Sequence, residues 1–582
     1  MGFLGKFRHD RLFLLFLIIL VVLGMYLRFS NYDEIGYTHD SILTVTGAIA
    51  WFYPYPHFPG LIYLGPPLGN MIIGTGCMVS NEDFSGVLQV GPKFSPNIPI
   101  LMGQSFVNAE FHCKAPNYLF GLIFLLVLSL LAIFLFKNYY ALFSIAFFTF
   151  SQFILKWGRI MSVDMIFYVF TFTGLIFLWK SYEAEKSSKK ENTFFIFCFV
   201  FLGFAGATKF SAGVYFLFAF LLFMGKYWQE IKLLIKNIFK TLKLDLANKI
   251  STPAETKLRP FIIKGIFYFI TYVFVLLIPY KLNPQHLYNI YTGFKRIAPN
   301  VSAMRLNSNI FPVINEFLIK INTLDLLIFL FSIYIFIRLI FKKQKQKREK
   351  FILYLVFLFL FTTLFFESVG LLFRVAIPLL LSIVFLMGLV FSHKEYSIFK
   401  LFKIPIEKRK KIFFIFLIIY ILYSALITVP HSPYYFRSNE IICIFEREQC
   451  DQILLEDFNL VATKQTMKFL GSILKENETY RYQEGEAPQI YLRPNDPMIY
   501  YQLFDLNLNK QLGRSPTLAE QVQYFHPEGR DLRYYVENRW YGTNTEEIEI
   551  LKKEYQPNYI VKLDNKDVMR IYDLFNLTKK GF

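Results

Sequence analysis

The sequence predicts an α-helical polytopic membrane protein, with about eleven transmembrane helices and a C-terminal extracytoplasmic α/β domain. Of the 582 residues, 54% are hydrophobic and 19% are aromatic, which is more apolar side chain than a soluble fold of this size can bury. Apolar runs of about 17 to 22 residues recur along the chain, and each is long enough to cross a bilayer. These runs do not alternate between apolar and polar residues, which argues against a transmembrane β-barrel.

The formal net charge of +19 follows the membrane topology rather than a nucleic-acid site. Most Lys and Arg residues fall in alternate short loops, which is the positive-inside pattern. This pattern predicts a multi-pass protein of the cell membrane, with a cytoplasmic N-terminus and an extracytoplasmic C-terminal domain. We therefore expect a lipid bilayer around the protein and no nucleic-acid partner.

Each predicted span is an apolar run bounded by charged or helix-breaking residues. In chain order the runs are 11–27, 117–136, 139–155, 162–179, 193–208, 211–224, 260–280, 324–341, 351–366, 371–391 and 412–429. No small-residue cleavage site follows the first run, so we expect a retained helix rather than a signal peptide. The basic segment 226–259 has apolar residues at helical spacing and predicts an amphipathic helix on the inner leaflet.

Residues 28–116 form a long outer loop that is poor in Lys and Arg. Its segment 42–51 is apolar with small residues, which predicts a helix at the membrane interface. The following segment 61–77 carries Pro66 and Pro67 inside an apolar run. Because a Pro pair disfavours a simple spanning helix, we expect a second helix at the membrane surface.

The composition changes at Pro430, where the chain becomes polar and rich in Tyr, Asn and Glu. We therefore divide the chain into a transmembrane domain, 1–429, and a soluble extracytoplasmic α/β domain, 430–582. Within the second domain the residue pattern predicts two helices and two strands around a turn at Asn565. The helices are predicted at 463–475 and 546–555, and the strands at 559–563 and 568–572.

Four of the five cysteines fall on the predicted outer side. Cys77 with Cys113 and Cys443 with Cys450 are candidate disulfides if that compartment is oxidising. Four free thiols are an equally good interpretation of the same pattern.

The loop after the first span, 28–41, holds the acids that are the first candidates for chemistry. Asp33, Glu34 and Asp40 lie where the chain leaves the membrane, beside His39, and acids near a bilayer indicate function by default. We place the active site around Asp40. The alternative is that Asp40 only caps the next helix, since Asp is a favoured N-cap. Asp33 and Glu34 are the competing acidic pair, and their alternative role is a solvated loop face.

Cations at the same membrane face are the second group of candidates. Arg159 precedes Asp164 at the start of the fourth span, where the alternative is a helix cap with an interfacial Arg. Lys209 lies between two apolar runs on the outer side, against the charge rule, and its alternative role is a snorkelling lysine. Arg374 lies about one turn inside the tenth span and needs an anionic partner from the protein or a ligand. One acid with several cations suits transfer from a lipid phosphate.

The order of these motifs resembles that of the GT-C membrane glycosyltransferases, in particular the group of protein O-mannosyltransferases and the lipid A aminoarabinose transferase. The motifs that carry the resemblance are Arg28 with His39-Asp40-Ser41, the segments 63–68 and 108–116, Arg159 to Asp164, Gly206 to Lys209, and Phe373 to Pro378. The family usually has Asp-Glu where this sequence has Asp40-Ser41, which keeps Asp33-Glu34 open as the acidic motif. Residues 79–107 resemble an insertion.

The resemblance implies a transferase that uses a polyprenyl- or dolichyl-phosphate sugar, with Asp40 as the base and Asp164 supporting it. It implies that Lys209, Arg374 and Arg159 bind the donor phosphate. Two further outer-loop residues, Arg296 and Arg305, are weaker candidates for the lipid head group. The acceptor is a protein, a lipid or a glycan. The sequence has no Asp-x-Asp motif for a nucleotide-sugar metal, and we assign no cofactor and no metal ligands.

Two other functions remain open on the sequence alone. A surface-polysaccharide polymerase or ligase would also combine many helices with an outer-loop site. A transporter would place acids and broken helices near mid-bilayer and often shows inverted repeats. The acids of this chain lie instead at the outer face, and no repeat is visible, so a transporter is the weaker alternative.

Overall fold

The structure is a computed structural model of the whole chain. It describes residues 10–30, 67–82, 109–136, 139–159, 162–209, 211–232, 253–280, 322–368, 376–431, 478–484, 487–491, 531–538, 553–563 and 566–579, together with Thr44, Val45, Ala48, Ile49, Phe52, Gln465, Thr466, Phe469, Ile473 and Leu551.

The membrane part of the described chain is helical throughout. Its helices are α1 (Arg11–Phe29), α2 (Pro67–Val79), α3 (Glu110–Phe136), α4 (Ala141–Phe150), α5 (Gln152–Arg159), α6 (Asp164–Glu183), α7 (Lys189–Thr208), α8 (Ala212–Lys226), α9 (Pro253–Leu277), α10 (Thr323–Phe341), α11 (Lys347–Ser368), α12 (Ala376–Ser392), α13 (Ile398–Leu401) and α14 (Ile406–Thr428). Among the described residues, six helices are long and apolar enough to cross a membrane: α1, α3, α6, α7, α10 and α14. The polytopic helical class predicted from the sequence is confirmed, and the number of spans stays a prediction.

The predicted run 139–155 is two helices rather than one. Ser151 adopts an extended conformation, with φ −60° and ψ 109°, and ends α4 after Phe150. The chain then forms the short helix α5, which ends in Arg159. The break therefore separates the apolar helix α4 from the segment that carries a candidate site residue.

Pro67, the second residue of the Pro pair in the predicted outer loop, begins a helix. Helix α2 starts at Pro67, where the fixed φ of proline suits the first helical position and its missing N–H is not needed. Of the interface helix predicted over 42–51, the described residues Thr44, Val45, Ala48 and Ile49 are helical.

The core of the bundle lies around α4, whose ten residues are all buried. Peripheral helices expose large apolar side chains in the manner of lipid-facing surfaces. On α1 and α9 these residues include Leu15, Ile18, Val22, Ile266, Ile270 and Phe274. Small residues allow close helix packing: a Cβ at Gly203 of α7 would lie 2.8 Å from Val275 Cβ of α9.

His393, which directly follows α12, is held as a neutral imidazole. Its Nδ1 accepts the N–H groups of Glu395 and Tyr396, at 3.1 and 3.0 Å, and its Nε2 lies 3.0 Å from Glu349 Oε1. The Lys342 ammonium lies 3.2 Å from that same carboxylate oxygen. Burial lowers the pKa of His393 from its ordinary value, against the opposing effect of Glu349.

We expect this imidazole to make the protein less stable in acid. An unfolded His binds its proton at about pH 6.5, whereas folded His393 binds it only at lower pH, so stability falls as the pH drops below about 6.5. His393→Asn keeps a hydrogen-bond acceptor near Nδ1 and does not titrate. Unfolding temperatures of detergent-solubilised wild type and variant, measured between about pH 5 and 8, should therefore converge in acid. A difference that stays constant across this range would contradict the assignment.

The C-terminal part contains a five-stranded mixed sheet. Its strands are β1 (Glu478–Glu484), β2 (Ala487–Tyr491), β3 (Asp531–Asn538), β5 (Tyr559–Leu563) and β6 (Lys566–Asp573), and a separate pair is formed by β4 (Tyr555–Gln556) and β7 (Thr578–Lys579). The strand order is β2-β1-β3-β6-β5, with β1 and β3 parallel and the other neighbours antiparallel. The predicted strand pair 559–563 and 568–572 is confirmed.

The other elements predicted for this part are found over their described residues. Gln465, Thr466, Phe469 and Ile473 are helical, as are Leu551, Lys553 and Glu554. The second predicted helix, 546–555, ends one residue early because Tyr555 begins β4. The domain boundary at residue 430 adjoins the end of α14, and it stays a prediction because residues 432–464 lie outside the described set.

A disulfide joins Cys77 near the end of α2 to Cys113 near the start of α3. One of the two candidate pairs is thus present, and Cys443 and Cys450 lie outside the described residues. The described Cys198 is a buried free thiol in α7.

We expect the double variant Cys77→Ser/Cys113→Ser to lose up to about 4 kcal/mol of stability, because the bond closes a loop with a sequence separation of 36. Unfolding in detergent would measure the loss, with Cys198→Ala as the thiol control. Alkylation of Cys113 in denatured protein that has not been reduced would show that the bond is absent.

Candidate active site

Asp164 and Lys209 form an ion pair where two neighbouring helices meet. Asp164 is the first residue of α6, and Lys209 directly follows α7. Lys209 Nζ donates to Asp164 Oδ1 at 2.5 Å. The Asp164 side chain is 1% exposed, whereas that of Lys209 is 25% exposed. The pair therefore presents a cation to the surroundings and keeps its carboxylate inside.

The helix ends favour this arrangement of charges. An acid is stabilised at the N-terminus of α6, and a cation is stabilised at the C-terminus of α7. The two helices run antiparallel, because the short turn 184–188 connects them, so these opposite ends lie side by side. The sequence separation of 45 residues is thus closed by one helical hairpin.

The N-terminal turn of α2 packs against the same two helix ends. A Cβ at Gly69 would lie 2.8 Å from Val163 Cβ and 2.9 Å from Thr208 Cγ2. Val163 and Thr208 immediately precede Asp164 and Lys209. Glycine is therefore required at this close approach, which brings the Pro67-Leu68-Gly69 segment to the ion pair.

Arg159 lies on the other side of the α5–α6 turn and contacts the beginning of the acidic loop. Its side chain is buried, at 1% exposure, and its guanidinium donates to the carbonyl oxygen of Ser30. Ser30 is the last described residue before the loop that contains Asp33, Glu34 and Asp40. The structure therefore anchors the start of that loop at Arg159.

Asn117 bridges the two ends of the α5–α6 turn. Its Nδ2 donates to the carbonyl of Gly158 at 3.1 Å, and its Oδ1 accepts the N–H of Ser162 at 3.5 Å. Ser162 Oγ in turn accepts the N–H of Asp164 at 3.3 Å. The side-chain amide thus spans the turn between Arg159 and Asp164.

Arg28 is buried and serves to join helices. Its guanidinium donates to the carbonyls of Gly121, Gly24 and Phe148, at 3.2, 3.0 and 3.4 Å. These carbonyls belong to α3, α1 and α4. The Arg that the sequence pattern places after the first span therefore has three backbone partners within the bundle.

The remaining predicted site residues lie outside the described residues. These are Asp40, Asp33, Glu34, Arg374, Arg296 and Arg305, and their assignments stay predictions. Of the predicted site residues, the structure brings Asp164 and Lys209 into contact. Arg159 contacts a different group, the carbonyl oxygen of Ser30. No group of three His, Cys, Asp or Glu suited to a metal occurs among the described residues.

Sequence reasoning missed Asn117, which it used only as the start of the second span. The structure starts that helix earlier, at Glu110, with Pro116 inside it. An amide at the beginning of an apolar run was the available signal, because a buried Asn requires hydrogen-bond partners.

The fold and the site define a polytopic α-helical membrane protein with a polar site where α6 begins and α7 ends. The sequence model of the dolichyl-phosphate-mannose-protein mannosyltransferase family matches residues 18–283. These residues include Arg28, Arg159, Asp164 and Lys209. The match confirms the resemblance inferred from the motifs and indicates a glycosyltransferase.

Two solved structures are similar to this chain. The structure of ArnT from Cupriavidus metallidurans bound to undecaprenyl phosphate has a TM-score of 0.41 and 11% identity, over 96% of this chain and 97% of that one. The archaeal oligosaccharyltransferase AglB from Archaeoglobus fulgidus, in complex with an inhibitory peptide and a dolichol-phosphate, has a TM-score of 0.39 and 10% identity, over 81% of this chain and 59% of that one. No curated protein sequence matches the chain.

Proposed function

We propose that the protein transfers a sugar from a polyprenyl- or dolichyl-phosphate donor to an acceptor on the extracytoplasmic side of the cell membrane. The acceptor is a hydroxyl or amine of a protein, a lipid or a glycan. The observation that carries the proposal is the Asp164–Lys209 ion pair. In this pair the lysine ammonium is partly exposed and is held by a buried carboxylate. The mannosyltransferase family match over residues 18–283 supports a lipid-phosphate donor.

The proposed reaction breaks the bond between the anomeric carbon and the phosphate oxygen. The acceptor oxygen or nitrogen attacks that carbon and gives its proton to the Asp40 carboxylate, and the lipid phosphate leaves with the electron pair. The leaving phosphate gains negative charge in the transition state. Cations already in position stabilise that charge without reorganising, which is a large term in such transfers.

Lys209 is the cation that we assign to the leaving phosphate. Asp164 orients it, because a carboxylate that is 1% exposed and paired holds the ammonium in one place. Arg159, Arg374, Arg296 and Arg305 complete the proposed phosphate and lipid-head contacts.

Asp40 is the proposed base, with Asp33 and Glu34 as the alternative acidic pair. Arg159 supports this arrangement by binding the carbonyl of Ser30. Asp33 follows Ser30 by three residues, and three residues of chain reach at most about 11 Å. Asp40 follows by ten residues and has a longer reach, so the loop path decides which acid meets the acceptor.

The test is release of polyprenyl phosphate from a radiolabelled polyprenyl-phosphate sugar pool by the purified full-length protein. We expect transfer of label to an acceptor together with stoichiometric release of the lipid phosphate. Lys190→Ala is the matched control for variants of Lys209, since Lys190 is an exposed lysine at the opposite end of α7. A broad donor panel that gives no lipid phosphate would contradict the proposal and favour the polymerase or transporter functions.

A further inference from the structure

We infer that Asn117 is a positioning residue of this site, which fixes Arg159 and Asp164 relative to each other for the phosphate of the donor lipid. The inference rests on the proposed function for its ligand, and on the described geometry for its residues. Asn117 is buried in α3, at 0% exposure, and belongs to neither helix that carries the ion pair.

The hydrogen bonds of Asn117 act at both ends of one short turn. Nδ2 donates to Gly158 O, and Oδ1 accepts Ser162 N–H, so a single planar group ties residues four apart. Arg159 directly follows Gly158, whose carbonyl accepts the first of these hydrogen bonds. Ser162 passes the restraint on to Asp164 by accepting its N–H. A change in the amide therefore acts on the backbone just before Arg159 and, through Ser162, on the backbone N–H of Asp164.

Close backbone packing makes the bridge rigid. A Cβ at Gly121 would lie 3.3 Å from Gly158 O and 3.4 Å from Gly158 Cα, so α3 meets the end of α5 almost backbone to backbone. Gly121 lies one helical turn after Asn117, on the same face of α3. Its carbonyl also accepts Arg28 Nε at 3.2 Å, which joins α1 to the same contact.

The amide is the group that this place requires. It is the side-chain group that supplies a donor and an acceptor in one plane, and both partners are buried backbone groups. An apolar side chain would leave Gly158 O and Ser162 N–H unpaired. Asp of nearly the same size would keep the acceptor, lose the donor and face a carbonyl with a charge. Asn117→Ala and Asn117→Asp therefore remove different parts of the bridge.

The experiment measures binding of short-chain polyprenyl phosphate, labelled with tritium, to the full-length protein in detergent. Wild type, Asn117→Ala and Asn117→Asp are compared per mole of folded protein, and the donor KM and kcat are measured on the same preparations. The control is Ser129→Ala, a buried polar residue of the same helix whose Oγ donates to Leu125 O at 2.7 Å. We expect both Asn117 variants to raise the Kd and the donor KM about tenfold and the control to leave both unchanged.

A purely structural role would lower the unfolding temperature and leave the Kd of the folded fraction at its wild-type value, which would overturn the inference. If Asn117→Ala does not fold, Asn117→Asp carries the comparison because it keeps the size and one hydrogen bond. Binding by the wild type without sugar transfer would contradict the proposed function and leave the Asn117 comparison intact. Absence of binding by the wild type would overturn both.

Discussion

The double variant Asp164→Asn/Lys209→Gln is expected to fold and to transfer sugar about a hundredfold or more slowly than the wild type. The two amides preserve a hydrogen-bonded pair where the ion pair lies, but they remove the cation that we assign to the leaving phosphate. Loss of one preorganised group that stabilises developing negative charge typically lowers the rate by this factor. The rate of lipid-phosphate release, per mole of folded protein, measures the effect.

The double change is preferable to Lys209→Ala alone. The Asp164 side chain is 1% exposed, and breaking a buried ion pair by removing one partner typically costs about 3 kcal/mol or more. The single variant would therefore mix instability with lost chemistry. Lys190→Ala removes a lysine from the other end of the same helix and should leave the rate unchanged. A double variant with wild-type transfer would exclude Lys209 from the donor site.

Asp40→Asn is expected to lower kcat by about two to four orders of magnitude, because it removes the proposed general base. The substitution also separates the two roles that the sequence allows for Asp40. Asn is as good an N-cap as Asp, so a residue that only caps the following helix would tolerate this change. Single-turnover transfer with saturating donor measures the chemical step.

Asp33→Asn is the matched comparison, since Asp33 belongs to the same loop and lies seven residues upstream. We expect it to keep most of the activity. Loss of transfer in Asp33→Asn with Asp40→Asn active would move the acidic motif to Asp33-Glu34. Activity in both variants would remove this loop from the proton transfer.

The helical part of the fold was predictable because a bilayer imposes a length and a composition on each span. Apart from the run 139–155, the predicted runs coincide with helices whose bounds shift by up to seven residues. The main element predicted wrongly was the run 139–155, since the sequence gives no signal that a helix ends at Ser151. The strands β1 to β3 were also missed. The residues of β1, Glu478–Glu484, are largely polar and lack the hydrophobic alternation that indicates a half-buried strand.

The candidate site was predictable as a set of residue types and only partly as a geometry. Lys209 stood out because a lysine between apolar runs on the predicted outer side opposes the charge rule. Its contact with Asp164 required the antiparallel packing of α6 on α7. The sequence offered only the amide at the start of an apolar run as a signal for Asn117. The partners of Asn117 and most of those of Arg28 are backbone groups of other helices and segments, which no local pattern reveals.

The sequence by itself therefore determined the class of protein, most of the helices and the residue types of the candidate site, since each depends on local composition and on order along the chain. Tertiary structure decided which of these residues meet. Close approaches at Gly69 and Gly121 bring three segments together, and a helical hairpin joins Lys209 to Asp164. Such contacts depend on packing between residues far apart in the chain, which no single segment of the sequence predicts.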